Sequence, residues 1–128
     1  MSPEIKTGLK GLKEQVVTKH DSAKHYGSGV LAVYATPAMI ALMENTCQES
    51  VGRYLPDGFS TVGTTINVQH IKATALGRIV RCESELYKIE GKRLYFKVIA
   101  YEANHKIGFG EHKRYMINND QFLSKIKL

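Results

Sequence analysis

Hydrophobic and polar positions change rhythm twice along this chain. Residues 1–14 are polar, basic and weakly patterned, and are expected to be flexible. Gln15 to Lys19 (QVVTK) reads as a short strand, and His20 to Gly29, rich in turn formers, as a loop. Val30 to Ala35 reads as a second short strand leading into a helix. From Thr36 the spacing turns helical: Met39, Ile40, Met43, Cys47, Val51 and Tyr54 recur at intervals of three and four, so they share one stripe. Thr36 is a good N-cap and Pro37 suits the first helical position, where its missing N–H is no loss. Pro56-Asp57-Gly58 ends the helix with turn chemistry.

After Gly58 the period drops to two. Val62, Thr64, Ile66, Val68 and His70 form one row, and Gly63, Thr65, Asn67, Gln69 and Ile71 the other. Leu76-Gly77 is a break, Ile79 to Ile89 a strand, and Glu90-Gly91-Lys92 a hairpin turn. Leu94, Phe96, Val98 and Ala100 line one side of the next strand. Ala103-Asn104-His105 turns the chain into a last strand, Ile107 to Ile117. Asn118 or Asn119 then caps a short helix with Phe122, Leu123 and Ile126 apolar. The pattern predicts an α+β chain: a short strand, one long helix, then four long strands in meander order. A sheet with one helix leaves strand edges to be covered, and pairing with a second copy would cover them.

Composition narrows the classes. The chain has 128 residues, one domain's worth, with no apolar run near the roughly 20 residues a membrane-spanning helix needs. Its start carries no secretory pattern, and Cys47 and Cys82 stand alone without a CxxC, which fits a cytoplasmic protein and no thiolate metal site. The net charge of +6 favours anionic partners, such as nucleic acid or a phosphorylated small molecule like coenzyme A. The basic residues are scattered and no nucleic-acid motif accompanies them, which leans away from nucleic acid.

Few residues carry chemistry. Glu44 falls on the shoulder of the helical stripe, where a carboxylate is partly desolvated. It reads as a general base or nucleophile, or else as a boundary glutamate. His70 ends the apolar row of its strand and reads as an acid, a base or a core histidine. Thr36 reads as a cap, although a helix start also stabilises an oxyanion. Gly63 inside a strand signals either a close approach or a bulge. Gly108 and Gly110 invite the same reading, and Arg114 lies on their face with His112, as an anion binder or a solvated base. Cys47 reads as core. His20, His25, His105 and His112 show no metal-ligand spacing, and Ser28 lacks the strand-turn-helix of a nucleophile elbow.

Taken together, a helix followed by a meander, with ATPAMIALMENTC and GTTINVQHIKAT, resembles the hot-dog fold of acyl-CoA thioesterases. Within that fold the chain is similar to the fluoroacetyl-CoA thioesterase family from about Lys19 to Ile126. The resemblance rests on Ala35-Thr36, Glu44, the Gly63-Thr64 pair, His70, and a Gly-x-Gly-x-His-x-Arg pattern at Gly108, Gly110, His112 and Arg114. It implies a long central helix on a mainly antiparallel sheet. It implies a catalytic group of Thr36, Glu44 and His70, with Gly63, Thr64 and Arg114 on the substrate. It also implies a homodimer with sites at the subunit interface, no metal, and coenzyme A as part of the substrate rather than a held cofactor. Where that family's fluoroacetate enzyme carries two lid phenylalanines, this chain has Gly27 and Val30, with Tyr26 and Tyr34 nearby. The expected activity is therefore hydrolysis of a short- or medium-chain acyl-CoA. The alternatives are a non-catalytic acyl-CoA-binding regulatory domain, a nucleic-acid binder and a dehydratase on the same fold.

Thr36 and Glu44 also pose a geometric problem. Eight residues of helix separate them by about 12 Å along the axis, so they cannot touch within one helix. The expectation is a site that mixes residues of two subunits.

Overall fold

The computed structural model describes residues 4–127; residues 1–3 of the expected flexible stretch, and residue 128, lie outside the described residues. Five strands form one antiparallel sheet in the order β1-β3-β4-β5-β2. They are β1 (Lys10–Val16), β2 (Phe59–His70), β3 (Ile79–Glu90), β4 (Arg93–Glu102) and β5 (His105–Asn118). The helices are α1 (Ala23–Tyr26), α2 (Thr36–Gly52) and α3 (Asn119–Ile126).

The long helix begins where its period places it but ends at Gly52, short of the expected stop at Pro56-Asp57-Gly58, and it differs in two further ways. Ala35 is the N-cap, without a side-chain hydrogen bond, so Thr36 is the first helical residue and not the expected cap. The buried stripe is Ala38, Met39, Leu42, Met43, Thr46, Cys47 and Val51, while Ile40 and Tyr54 are only half-buried. Ala38 and Thr46 take up the contact face in place of Ile40, and Tyr54 lies past the helix end at Gly52.

β4 alternates as expected, and β3 alternates in the same way from Val80 to Leu86. Val80, Cys82, Leu86, Leu94, Phe96, Val98 and Ala100 turn inward and are essentially fully buried. With the α2 stripe they form the core. The expected meander holds only for β3-β4-β5. Instead of making a hairpin with β3, β2 pairs with β5 at the far edge. The link 71–78 is long enough for this. Eight extended residues reach about 26 Å, and three strand spacings are about 14 Å. On its way it accepts the Tyr34 N–H at Thr74 and the Val17 N–H at Arg78.

The N-terminal readings move. The first strand runs Lys10–Val16, upstream of Gln15–Lys19, and the expected loop at 20–29 contains the one-turn helix α1. Val30 to Ala35 forms no strand, only isolated bridges at Val33 and Tyr34. At the other end Asn118 caps α3, its Oδ1 accepting the Gln121 N–H at 3.0 Å.

Candidate active site

Two groups of polar side chains converge between α2, β2 and β5. The first sits at the start of α2. Because Thr36 does not cap the helix, its hydroxyl is free to turn to the end of β2, where Oγ1 lies 2.8 Å from His70 Nδ1. Tyr34 holds the imidazole edge-on at 6.2 Å, and the Tyr34 hydroxyl is itself tied to Gln15. His70 Nε2 is buried without a hydrogen-bond partner among the described residues. Burial keeps the imidazole below its ordinary pKa, partly offset by the backbone of Lys72, so the ring is neutral at pH 7. The uncapped helix start adds unsatisfied backbone N–H groups beside this pair. A cleft of about 400 Å³, lined by Ala23, Ser28, Tyr34, Thr36, His70 and Lys72, opens here.

The second group sits two turns further along the helix. Arg114, 7% exposed, is held by Thr61: Nε donates to Thr61 Oγ1 at 2.7 Å and Nη2 to the Thr61 carbonyl at 2.9 Å. Nη1 lies 3.0 Å from His112 Nε2 and 3.9 Å from Glu44 Oε2. Burial draws the arginine's pKa down while Glu44 supports its charge. A guanidinium stays charged in a protein, so this pocket is electropositive. Glu44 keeps its carboxylate half-open to solvent.

A bulge in β2 makes this convergence possible. Gly63 pairs with Arg114, but Thr65 rather than Thr64 pairs with Lys113. The extra residue changes the parity of the strand. Gly63 therefore joins Ile66, Val68 and His70 on the face of Arg114 and His112, whereas strict alternation had placed it on the opposite row. A side chain at Gly63 would put its Cβ 2.9 Å from Glu44 Oε2 and 3.1 Å from His112 Cε1, so the close approach is real as well. Thr64 is the bulged residue. Its hydroxyl donates to the Lys113 carbonyl at 3.2 Å, and the structure brings it to neither group.

The fold thus joins Thr36 to His70 and Glu44 to Gly63 and Arg114, but it does not join the two groups within one chain. His112 and Thr61 were missed as site residues. The signal for His112 was its place two residues before Arg114, on the same strand face. Tyr34 is buried at 2% exposure and serves the core rather than a lid, whereas Val30 is 86% exposed. No three His, Cys, Asp or Glu side chains among the described residues could hold a metal ion. No helix of the structure is long and apolar enough to cross a membrane.

Comparison with known proteins shows the family and the fold. A family model described as fluoroacetyl-CoA-specific thioesterase matches residues 17–120. The fluoroacetyl-CoA thioesterase of Streptantibioticus cattleyicolor is 33% identical, over 99% of this chain and 96% of that protein. A solved structure of a fluoroacetyl-CoA thioesterase superposes with a TM-score of 0.91 at 32% identity, covering 97% of this chain and 96% of that one. A Thermus thermophilus member of the thioesterase superfamily gives 0.86 at 28% identity, covering 98% and 90%.

Proposed function

We propose that this chain, which belongs to the fluoroacetyl-CoA-specific thioesterase family and is an acyl-CoA thioesterase of hot-dog fold, hydrolyses a short- or medium-chain acyl-CoA at a site shared by two subunits. Thr36 and His70 come from one subunit and Glu44 from the other. The observation that carries this reading is the separation of the two polar groups. The Thr36–His70 pair has an idle buried nitrogen, and Glu44 stands two turns away along the same helix.

A second copy has a place to sit. The outer edge of β2 pairs with no strand among the described residues, and Val30, Leu31, Ile66 and Ile71 expose apolar surface. Covering such an edge with its own copy is the common solution for a symmetric dimer.

In the mechanism we favour, the thioester carbonyl meets the uncapped start of α2 and the Thr36 hydroxyl, which stabilise the developing oxyanion. The Glu44 carboxylate takes a proton from water as the water oxygen attacks the carbonyl carbon. The C–S bond breaks, and the thiolate of coenzyme A takes up a proton through His70. Nδ1–H held by Thr36 leaves Nε2 free to accept a proton and pass it on. The products are the free acid, as its carboxylate plus a proton, and coenzyme A. Direct attack by Glu44 would instead form an anhydride, and oxygen-18 entering the enzyme carboxylate in a single turnover marks that route. Gly63 and Arg114 line the acyl pocket. Coenzyme A enters only as part of the substrate, and the reaction asks for no metal. Free buried Cys47 and Cys82 fit a reducing cytoplasm.

The acyl group is inferred from a departure in the sequence: Gly27 and the exposed Val30 stand where the family's fluoroacetate enzyme carries its lid phenylalanines, which favours longer chains than fluoroacetyl. The test is thiol release from acetyl-, fluoroacetyl-, butyryl-, hexanoyl- and phenylacetyl-CoA by wild type and Glu44→Ala. We expect butyryl- or hexanoyl-CoA to lead the panel, and Glu44→Ala to lose about 10²- to 10⁴-fold in kcat. Full activity without Glu44 would refute the assignment.

A further inference from the structure

His112 is a buried titratable group for which the reaction above has no use. It is 1% exposed, and its ring stacks on Phe96 of β4 at 6.3 Å between centroids. Its two nitrogens meet partners of opposite kind. Nδ1 is 2.8 Å from the Thr65 carbonyl, just past the bulge. A carbonyl only accepts, so Nδ1 must carry the hydrogen. Nε2 is 3.0 Å from Arg114 Nη1. A guanidinium only donates, so Nε2 must be a bare lone pair. The neutral Nδ1–H tautomer is the single state of the ring that satisfies both neighbours.

Arg114 depends on that lone pair. Thr61 fixes Nε and Nη2, and His112 fixes Nη1, the nitrogen that faces Glu44. We propose that His112 is a positioning residue, whose unprotonated Nε2 holds Arg114 Nη1 toward Glu44 and whose protonation releases that arrangement. The proposal rests on the reading above, in which Glu44 and Arg114 serve the substrate.

The charges around the ring set the direction. Arg114, from the same strand, opposes a second positive charge 3.0 Å away, and Glu44 from α2 favours one. Cys47 of α2 also acts on Arg114, and burial pushes its thiol up, so it stays neutral. β4 presents Phe96, and β2 presents Gly63 and Thr65, none of which titrates. Burial, reinforced by Arg114, holds the ring below its ordinary pKa against the pull of Thr65 and Glu44. His112 is therefore neutral at pH 7 and protonates only on the acid side.

Two conservative variants separate positioning from packing. In His112→Gln the side-chain oxygen can reach the place of Nε2 and accept from Arg114. In His112→Asn the shorter amide can serve Thr65 but offers Arg114 no acceptor. We expect His112→Gln to retain most of the wild-type kcat, and His112→Asn to lose about tenfold or more in kcat/KM. The Gln variant should also lose the His112 component of the acid limb in the pH–rate profile. Imidazole nitrogen NMR on the histidine-labelled full chain should show His112 with Nδ1 protonated and Nε2 bare at pH 7. Equal activity of the two variants, or an Nε2–H tautomer, would overturn the proposal. Glu44→Ala runs alongside. If it is still active, the reading beneath the proposal falls. If it is inactive while His112→Gln and His112→Asn are equal, the proposal falls alone.

Discussion

The two polar groups on α2 differ in how completely they are satisfied. Around Arg114 three guanidinium nitrogens and both nitrogens of His112 have partners, and Thr61 gives both its hydroxyl and its carbonyl. Around His70 the hydrogen bond to Thr36 and the nearby Lys72 backbone stand beside an Nε2 without a close partner and an uncapped helix end. Buried polar groups are normally paired, so idle capacity marks the place where a substrate or a partner residue completes the structure. On the proposed reading, the saturated group holds a shape and the unsaturated one meets the reactant. Glu44 lies at the border, fixed by nothing shorter than 3.9 Å to Arg114.

Three perturbations sharpen this contrast. Thr36→Ala should have the largest effect, about 10²- to 10³-fold in kcat, because it removes both the His70 contact and an oxyanion donor. Thr36→Ser should recover most of that loss in the same thiol-release assay. Since Ala35 is the N-cap, Thr36→Ala should cost less than the ~1 kcal/mol typical of a lost cap, as read by denaturant unfolding.

Gly63→Ala comes next. The new Cβ meets the flexible end of Glu44 at 2.9 Å, which can move aside, but also His112 Cε1 at 3.1 Å, and that ring, held by Thr65 and Arg114, has to give slightly. The displaced carboxylate should lower kcat/KM by about tenfold, roughly the 1.4 kcal/mol of one decade in rate, with a modest fall in Tm from the pressed His112 ring.

The smallest effect is on stability against pH. His70 and His112 both have pKa values lowered in the fold. Below about pH 6.5 the unfolded chain then binds more protons than the folded one. Their contribution is complete above that pH and is lost as the pH falls through the folded values. Tm should be level from pH 8 to 7 and fall toward pH 5. The double variant with glutamine at both positions should show a shallower fall.

The regular parts of this molecule were readable because a local period reports a local fact. The helix from Thr36, the hairpin at Gly91 and the alternation of Leu94, Phe96, Val98 and Ala100 all follow from neighbours in sequence. The strand order was not readable in that way. Whether link 71–78 makes a hairpin or spans the sheet depends on which strand β2 meets, and nothing within the link decides that. The bulge at Thr64 was hidden for a related reason. Gly-Thr-Thr keeps a period of two on paper, and only pairing against Arg114 and Lys113 shows the slip. That slip moved Gly63 onto the working face. The end of the helix offered a different ambiguity. Threonine before proline reads as a cap, because proline disfavours helical backbone in the residue ahead of it, yet Thr36 is helical here, and the hydroxyl's partner, His70, lies 34 residues away. His112 escaped because, although its spacing put it beside Arg114, its role also depends on the Thr65 carbonyl from β2, which sequence spacing does not reveal.

The most direct test of the shared site is complementation. Thr36→Ala and Glu44→Ala chains carrying different tags would be co-expressed, and the doubly tagged species purified. If Thr36 and His70 of one subunit work with Glu44 of the other, each mixed dimer holds one intact site and one doubly broken site. It should then show about half the wild-type thiol release, while both parent variants are nearly inactive. A mixed dimer no more active than its parents would contradict the account and return all three residues to one chain.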